Sequence, residues 1–286
     1  MPHVILKTVI DLHTHTTHSD GTLAPRAVVA LAKEVGLTAV AITDHDTMAG
    51  VPEALAEGIR AGIEVVPGVE LSLACATGSL HLIGLFVDPG SPALLAALAR
   101  VVEGRRNRNC EIVERLARLG VPVSIEEVCA NAGGEVVARP HFARALVRRG
   151  YVGTMKEAFD RFLARGGPAY VDRYRLPVEE SIRLLRGAGG RAVLCHPHTL
   201  GLGEGEALEG FVGGLKGLGL DAIEAWYPDY DARQEALYRA LAERLGLLLS
   251  GGSDFHGPGV SEVRLGRGRG GLAVPDGALD ALRPAR

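Results

Sequence analysis

The side chains able to do chemistry fall in short clusters spread along the chain. Asp11-Leu12-His13-Thr14-His15 is followed by Ser19-Asp20, then by Thr43-Asp44-His45-Asp46, Gly68-Val69-Glu70 and His81. Cys195-His196-Pro197-His198 and Gly252-Ser253-Asp254-Phe255-His256 come much later. Imidazoles and carboxylates are ligands for divalent ions, and one ion takes about four to six donors. The set His13, His15, Asp20, His45, Glu70, His81, His196, Asp254 and His256 offers nine. That calls for two or three ions, with at least one carboxylate shared. Ions held about 3.5–4 Å apart acidify a bridging water and clamp phosphoryl oxygens. Ligation by imidazole and carboxylate without thiolate suits manganese, zinc or iron, with manganese the first expectation.

Such a set works only if the fold gathers it. Val4-Ile5-Leu6 and Thr8-Val9-Ile10 read as a buried strand, whose geometry turns His13 and His15 the same way. A helix from about Ala24 to Val35 has Pro25 in its first turn and Gly36 as its stop. The strand Ala39–Ile42 ends at the His45 cluster, a helix over Val51–Ala61 stops at Gly62, and Glu64–Val66 runs toward Glu70. His81 opens a strand reaching Val87; later come a helix over Val178–Arg186, strands at 191–194, 221–226 and 247–250, and a helix over 232–245. About seven apolar strands alternating with helices predict an α/β fold with a parallel sheet, flat or closed into a barrel. His13, His15, His45, His196 and His256 each lie just past a strand end, on the rim that carries active sites in closed α/β barrels. His81, at the start of its strand, is the exception.

Between these runs the alternation breaks. Leu94, Leu98, Val101, Ile112, Val113, Leu116 and Leu119 recur at helical spacing, and Ser124–Glu127 and Thr154–Glu157 read as capping boxes. Residues 100–172 are therefore read as a small helical insertion covering the active site, leaving 1–99 and 173–286 to form the barrel. Within it Pro140 sits at the first position of a helix, where free N–H groups favour an anion and Arg139 can add a bidentate contact. His141, Arg106 and Asn109 are further candidates for substrate binding. Gly266–Gly271 reads as a flexible loop, since no strand–loop–helix context surrounds it.

At 286 residues and a formal charge of −3, the chain has room for a full core and no overall electrostatic reason to bind nucleic acid. No apolar run approaches the roughly 20 residues of a membrane span, and no secretory signal is evident. The cysteines Cys75, Cys110, Cys129 and Cys195 show no disulfide-framework spacing. A cytoplasmic protein with no obligate protein partner is expected.

The clusters Asp11–His15, Ser19-Asp20-Gly21, Thr43–Asp46, Pro67–Glu70, His196-Pro197 and Gly252–His256, in that order, resemble the PHP (polymerase and histidinol phosphatase) family. The resemblance implies a distorted (β/α)7 barrel with a trinuclear metal site. On that pattern His13, His15, Glu70 and Asp254 hold one ion, and Glu70 bridges to a second held by His81 and His196. Asp20, His45 and His256 hold the third. Asp20, where many phosphatases of the family carry His, and the Arg139–Arg144 run resemble the branch acting on nucleotides. That implies a phosphoesterase for 3′,5′-bisphosphonucleotides or the 5′ ends of short oligonucleotides, working by a metal-bound hydroxide supported by Asp20 and His256. A histidinol phosphatase, a non-catalytic polymerase module and amide hydrolysis are the rival readings. Asp11 is expected to steady the strand end and Glu224 to partner a ligand, His18 to be a loop residue, and His198 is open.

Overall fold

The computed structural model describes residues 9–130, 132 and 136–284. Residues 4–8 of the expected first strand lie outside these. The strands are β1 (Val9–Asp11), β2 (Ala39–Ile42), β3 (Glu64–Leu73), β4 (Leu80–Leu85), β5 (Arg191–Leu194), β6 (Ala222–Trp226), β7 (Leu248–Gly251) and β8 (Val274–Pro275). They form one sheet in the order β7-β6-β5-β4-β3-β2-β1-β8. β7 and the segment after it meet the segment just past β1, where Leu12 donates to the Gly251 carbonyl at 3.1 Å and His15 to that of Phe255 at 2.9 Å. The result is a nearly closed barrel, as the (β/α)7 expectation requires.

Period-two alternation builds its wall. Ala39 and Ala41 of β2 pack on one face with Ile10, Val66, Ile83 and Val193, while Val40 and Ile42 face outward. The outer face is covered by α1 (Pro25–Glu34) and α2 (Val51–Ala61), the N-terminal half of α3 (Pro92–Arg118), and later helices. A second core gathers Ile112 and Leu116 of α3 with α4 (Ile125–Cys129), α5 (Arg139–Arg148) and α6 (Met155–Ala158). The remaining helices are α7 (Val178–Gly187), α8 (Glu206–Gly217), α9 (Ala232–Leu245) and α10 (Asp276–Leu282). The α10 residues Ala278, Leu279 and Leu282 join the inner core of the barrel.

The expected parallel sheet is corrected at one place that matters. β3 runs on to Leu73 and turns back into β4, so β3–β4 and β4–β5 are antiparallel. Reversal of β4 puts its first residues on the same rim as the ends of its neighbours. His81 is thus not an exception, and Glu70 lies inside β3 rather than past its end. α8, β8 and α10 were not expected. The Ser124–Glu127 capping box is reciprocal, but at Thr154 only the hydroxyl caps, because Glu157 turns to the Gly153 N–H instead.

One buried carboxylate holds the closure. Asp11 accepts from the N–H groups of His13 (3.3 Å), Ser253 (2.8 Å) and Gly266 (2.8 Å), and from the Ser253 hydroxyl. The glycine-rich loop is therefore pinned at Gly266. Replacing Asp11 with Ala leaves these donors buried and unpaired, and is expected to lower stability by about 3 kcal/mol in urea unfolding.

Candidate metal centre

Glu70 stands at the middle of the site. Its position is set by the backbone: Asp46 N–H donates to the Glu70 carbonyl (2.8 Å) and Glu70 N–H to that of Asp44 (3.2 Å). His45 Nδ1 lies 2.8 Å from its Oε2, with His15 Nε2 at 3.3 Å and His13 Nε2 at 3.6 Å. His81 Nδ1 (2.8 Å) and His196 Nε2 (3.1 Å) meet Oε1. Asp254 Oδ1 faces His15 (3.1 Å) and His13 (3.2 Å), while Asp20 faces His256 (3.2 Å) and His45 (3.9 Å). All nine sequence-selected donors thus come together.

Four groups of ligand atoms lie within 4.8 Å of one another: His15–Asp20–His45–His256, His13–His15–Asp254, His13–Glu70–His196 and His45–Glu70–His81. His81 and His196 both meet Glu70 yet fall in different groups, and His15 joins the Asp20 group, so the partition is less even than the family pattern implies. The donor set fits divalent ions on a further ground. His13 Nε2, His15 Nε2, Asp20 Oδ1, His45 Nδ1 and Glu70 Oε2 are buried and, close as they stand to one another, none makes an aligned hydrogen bond. Buried polar atoms are otherwise paired. These orphans converge on one another.

The far sides of the rings are fixed. His13 Nδ1 meets Glu224 Oε1 at 3.1 Å, His196 Nδ1 meets Thr199 Oγ1 at 3.1 Å, and His256 Nδ1 meets the Asp254 carbonyl at 2.8 Å. These contacts orient Nε2 inward. Glu224 also accepts the His196 N–H at 2.7 Å, so it does steady ligands. Tyr227, not singled out from the sequence, donates its hydroxyl to Asp254 Oδ2 at 2.8 Å and leaves Oδ1 for the histidines. His196 (φ 30°) and Asp254 (φ 51°) sit in the left-handed region, a strain costing about 1–3 kcal/mol each. At Gly252 a Cβ would stand 2.4 Å from His13 Cβ, so only glycine lets that rim segment pass.

Burial pushes the Glu70 and Asp254 carboxyls up, but the imidazoles around them outweigh it and hold both well below the usual range. Burial, reinforced by the charge of His256, drives His15 down to about 4. Both shifts favour the ligating form, whereas His13, His45, His196 and His256 are held up, against burial, by the carboxylates facing them and must give up a proton to ligate.

Against the centre lies a cavity of about 310 Å³, bounded by Asp20, His45 and His81 on one side and Arg105, Arg108, Arg139, Arg173 and Arg175 on the other. Asp46, at φ 56°, holds Arg105 and takes Arg173 Nη2 at 3.1 Å. Among the described residues the buried Arg108 meets Asn109 Oδ1 (2.8 Å) and the Val137 carbonyl (3.3 Å) and no carboxylate. Burial and the neighbouring guanidiniums push it down to about 8, so it remains charged at neutral pH. Such a pocket is built for anions.

Arg139 lines this cavity, with Nη1 on the Leu163 carbonyl (3.0 Å) and its plane against Tyr170. His141 is buried behind it, its Nδ1 accepting the Ala138 N–H at 2.9 Å. Asn109 is also one layer back, holding Arg108. Arg106 faces away: it lines a separate hollow with Thr47 and Met48, and lies 3.7 Å from Glu103. Arg105, Arg108, Arg173 and Arg175 were missed. The signal for two of them was present, since the buried stripe Leu98, Val101, Val102 continues through Arg105, Arg108 and Asn109 to Ile112, and skips Arg106. His18 joins no metal group among the described residues, and His198 meets the Tyr230 hydroxyl at 3.3 Å.

A barrel rim of clustered imidazoles and carboxylates facing buried arginines defines a metal-dependent phosphoesterase. The PHP domain family model matches residues 11–118. The chain is 37% identical to the 5′-3′ exoribonuclease Rnm of Salmonella typhimurium over 261 residues, covering 91% of this chain and 88% of that one. It is 35% identical to the 3′,5′-nucleoside bisphosphate phosphatase of Chromobacterium violaceum over 253 residues, covering 87% and 88%. A solved Bifidobacterium adolescentis structure, described as a metal-dependent phosphoesterase, superposes with a TM-score of 0.85 at 29% identity, covering 98% of this chain and 97% of that one. The chain belongs to the PHP family. No helix among the described residues is long and apolar enough to cross a membrane.

His13→Ala and Asp254→Asn are each expected to abolish turnover almost completely while the far-UV circular dichroism spectrum is retained. A second expectation concerns pH. Burial pushes the pKa of His141 down to about 4, so the folded state binds its proton less readily than the unfolded chain. Stability is then lost as pH falls from 6.5 toward 4. In His141→Gln the unfolding midpoint should depend less on pH across that window.

Proposed function

We propose that this chain hydrolyses the 3′-phosphate ester of a nucleotide that also carries a 5′-phosphate, as in a 3′,5′-bisphosphonucleoside or the 5′ end of a short oligonucleotide. The observation carrying this reading is the arginine cavity opening directly onto the metal centre. Two phosphoryl groups one nucleoside apart would engage the two at once. The names of the exoribonuclease and bisphosphate phosphatase relatives support the same substrate class.

His13, His15, Asp20, His45, Glu70, His81, His196, Asp254 and His256 would hold two or three divalent ions, manganese first. Bound ions supply Lewis-acid charge and acidify water. The protein's own part is positional. Glu70 and Asp254 keep the imidazoles in register, Asp20 stands where the rim meets the cavity with His256 3.2 Å from it, and Arg108 and Arg139 grip the 5′-phosphate. The helical segment 100–172, read as an insertion, supplies both arginines. Histidinol phosphate fits this arrangement poorly, because its ammonium group would face the guanidiniums.

With Mn²⁺, purified protein is expected to release phosphate from a 3′,5′-bisphosphonucleoside and nucleotide from 5′-phosphorylated RNA; activity on histidinol phosphate alone would sink the proposal. Arg108→Met and Arg139→Ala should raise KM about tenfold or more, on the scale of a lost charged hydrogen bond, with smaller effects on kcat. Unchanged KM in both variants would remove the phosphate grip. Chelation should abolish activity and lower the melting temperature together.

A further inference from the structure

A second hollow flanks the metal centre beside the arginine cavity. It measures about 220 Å³ and opens at Asp254 and His256, whereas the arginine cavity opens at His45 and His81. The two share Asp20 and Pro140. The centre is therefore approached from two flanks of very different character. Tyr227, Pro228, Val260 and Val263 make the second wall largely apolar, and its arginine, Arg269, stands beside Asp229 at 2.7 Å.

We propose that this hollow is the subsite that receives the nucleotide on the 3′ side of the scissile phosphate when the substrate is RNA. The inference rests on the function proposed above, in which the 5′-phosphate lies among the arginines. It follows from which bond breaks. Water oxygen bonds to phosphorus, the P–O3′ bond opens, O3′ takes up a proton, and the terminal nucleoside leaves with its 5′-phosphate. In a bisphosphonucleoside the transferred group departs as inorganic phosphate and needs no further room. In RNA one of its oxygens is O5′ of the next nucleotide, so the rest of the chain hangs from the phosphoryl group itself. That arm cannot lie in the arginine cavity, which the leaving nucleotide fills.

The hollow at Asp254 and His256 is the other way out. Apolar walls suit a ribose and base, which stack and bury in a sequence-tolerant way. Arg269 at the mouth is placed for the phosphate beyond. The charge contrast also fixes direction: the flank rich in unrelieved guanidinium takes the 5′-phosphate, and the balanced flank takes the continuing chain. Each cut leaves a new 5′-phosphate on the shortened RNA, the group the arginine cavity binds.

The test compares kcat/KM for a 5′-phosphorylated RNA trinucleotide and for 3′,5′-bisphosphoadenosine, with Mn²⁺, in wild type, Ser261→Trp and Arg269→Ala. Ser261 lines the hollow and neither residue touches the metal cluster. Wild type should turn over both substrates. Each variant should lower the trinucleotide-to-bisphosphate ratio about tenfold or more, the scale of one lost base contact, with an unchanged unfolding midpoint. An unchanged ratio in both variants overturns the proposal. So does a wild type that hydrolyses the bisphosphate and leaves RNA intact, while the function it rests on stands. Wild type inert toward both substrates overturns the two together.

Discussion

One carboxylate holds the centre together. Five imidazoles crowd Glu70 within 3.6 Å, and it has no exposure to water. An isolated ion in that position would be prohibitively costly. The surrounding groups must therefore be supplied in full, and the barrel is arranged to deliver them from β1, β2, β4 and β5 at the same height. Asp11 closes the ring, Gly252 admits the segment past His13, and the strained backbone at His196 and Asp254 is sustained by the hydrogen bonds behind it.

Charge is separated with equal economy. The carboxylates gather among imidazoles on the rim, and the guanidiniums gather on α3, on α5 and after the helical segment, with Asp46 shared by Arg105 and Arg173. The modest net charge of −3 conceals this, because the two populations nearly cancel over the whole molecule. A phosphate ester would lie along the boundary between them.

Much of this was legible in the sequence because it is local. The helices over 51–61 and 232–245 and the strands at 39–42 and 191–194 follow from apolar runs ended by glycine or by a polar cluster. The nine donors stood out because ionisable side chains seldom recur at successive strand ends unless a shared ligand satisfies them. What was not legible depends on register and direction. The reversal of β4 follows from β3 continuing past Glu70, which a run of Ser72 and Leu73 does not announce. Arg106 was chosen for its charge, whereas burial depends on angular position about the helix, and that selects Arg105 and Arg108. Tyr227 acts through a hydroxyl whose partner is 27 residues distant.

The length of α3 has a mechanical consequence. Pro92–Arg118 is one unbroken helix of 27 residues, roughly 40 Å long. Its first half is embedded in the outer core of the barrel and its last turns in the core of the helical segment. It is a lever spanning two bodies, and Arg105 is its middle residue, clamped by Asp46. If the outer end swings, displacement grows with distance from that clamp. Arg105 and Arg108 sit at or beside that clamp, whereas Arg139 is carried on α5 with the outer body.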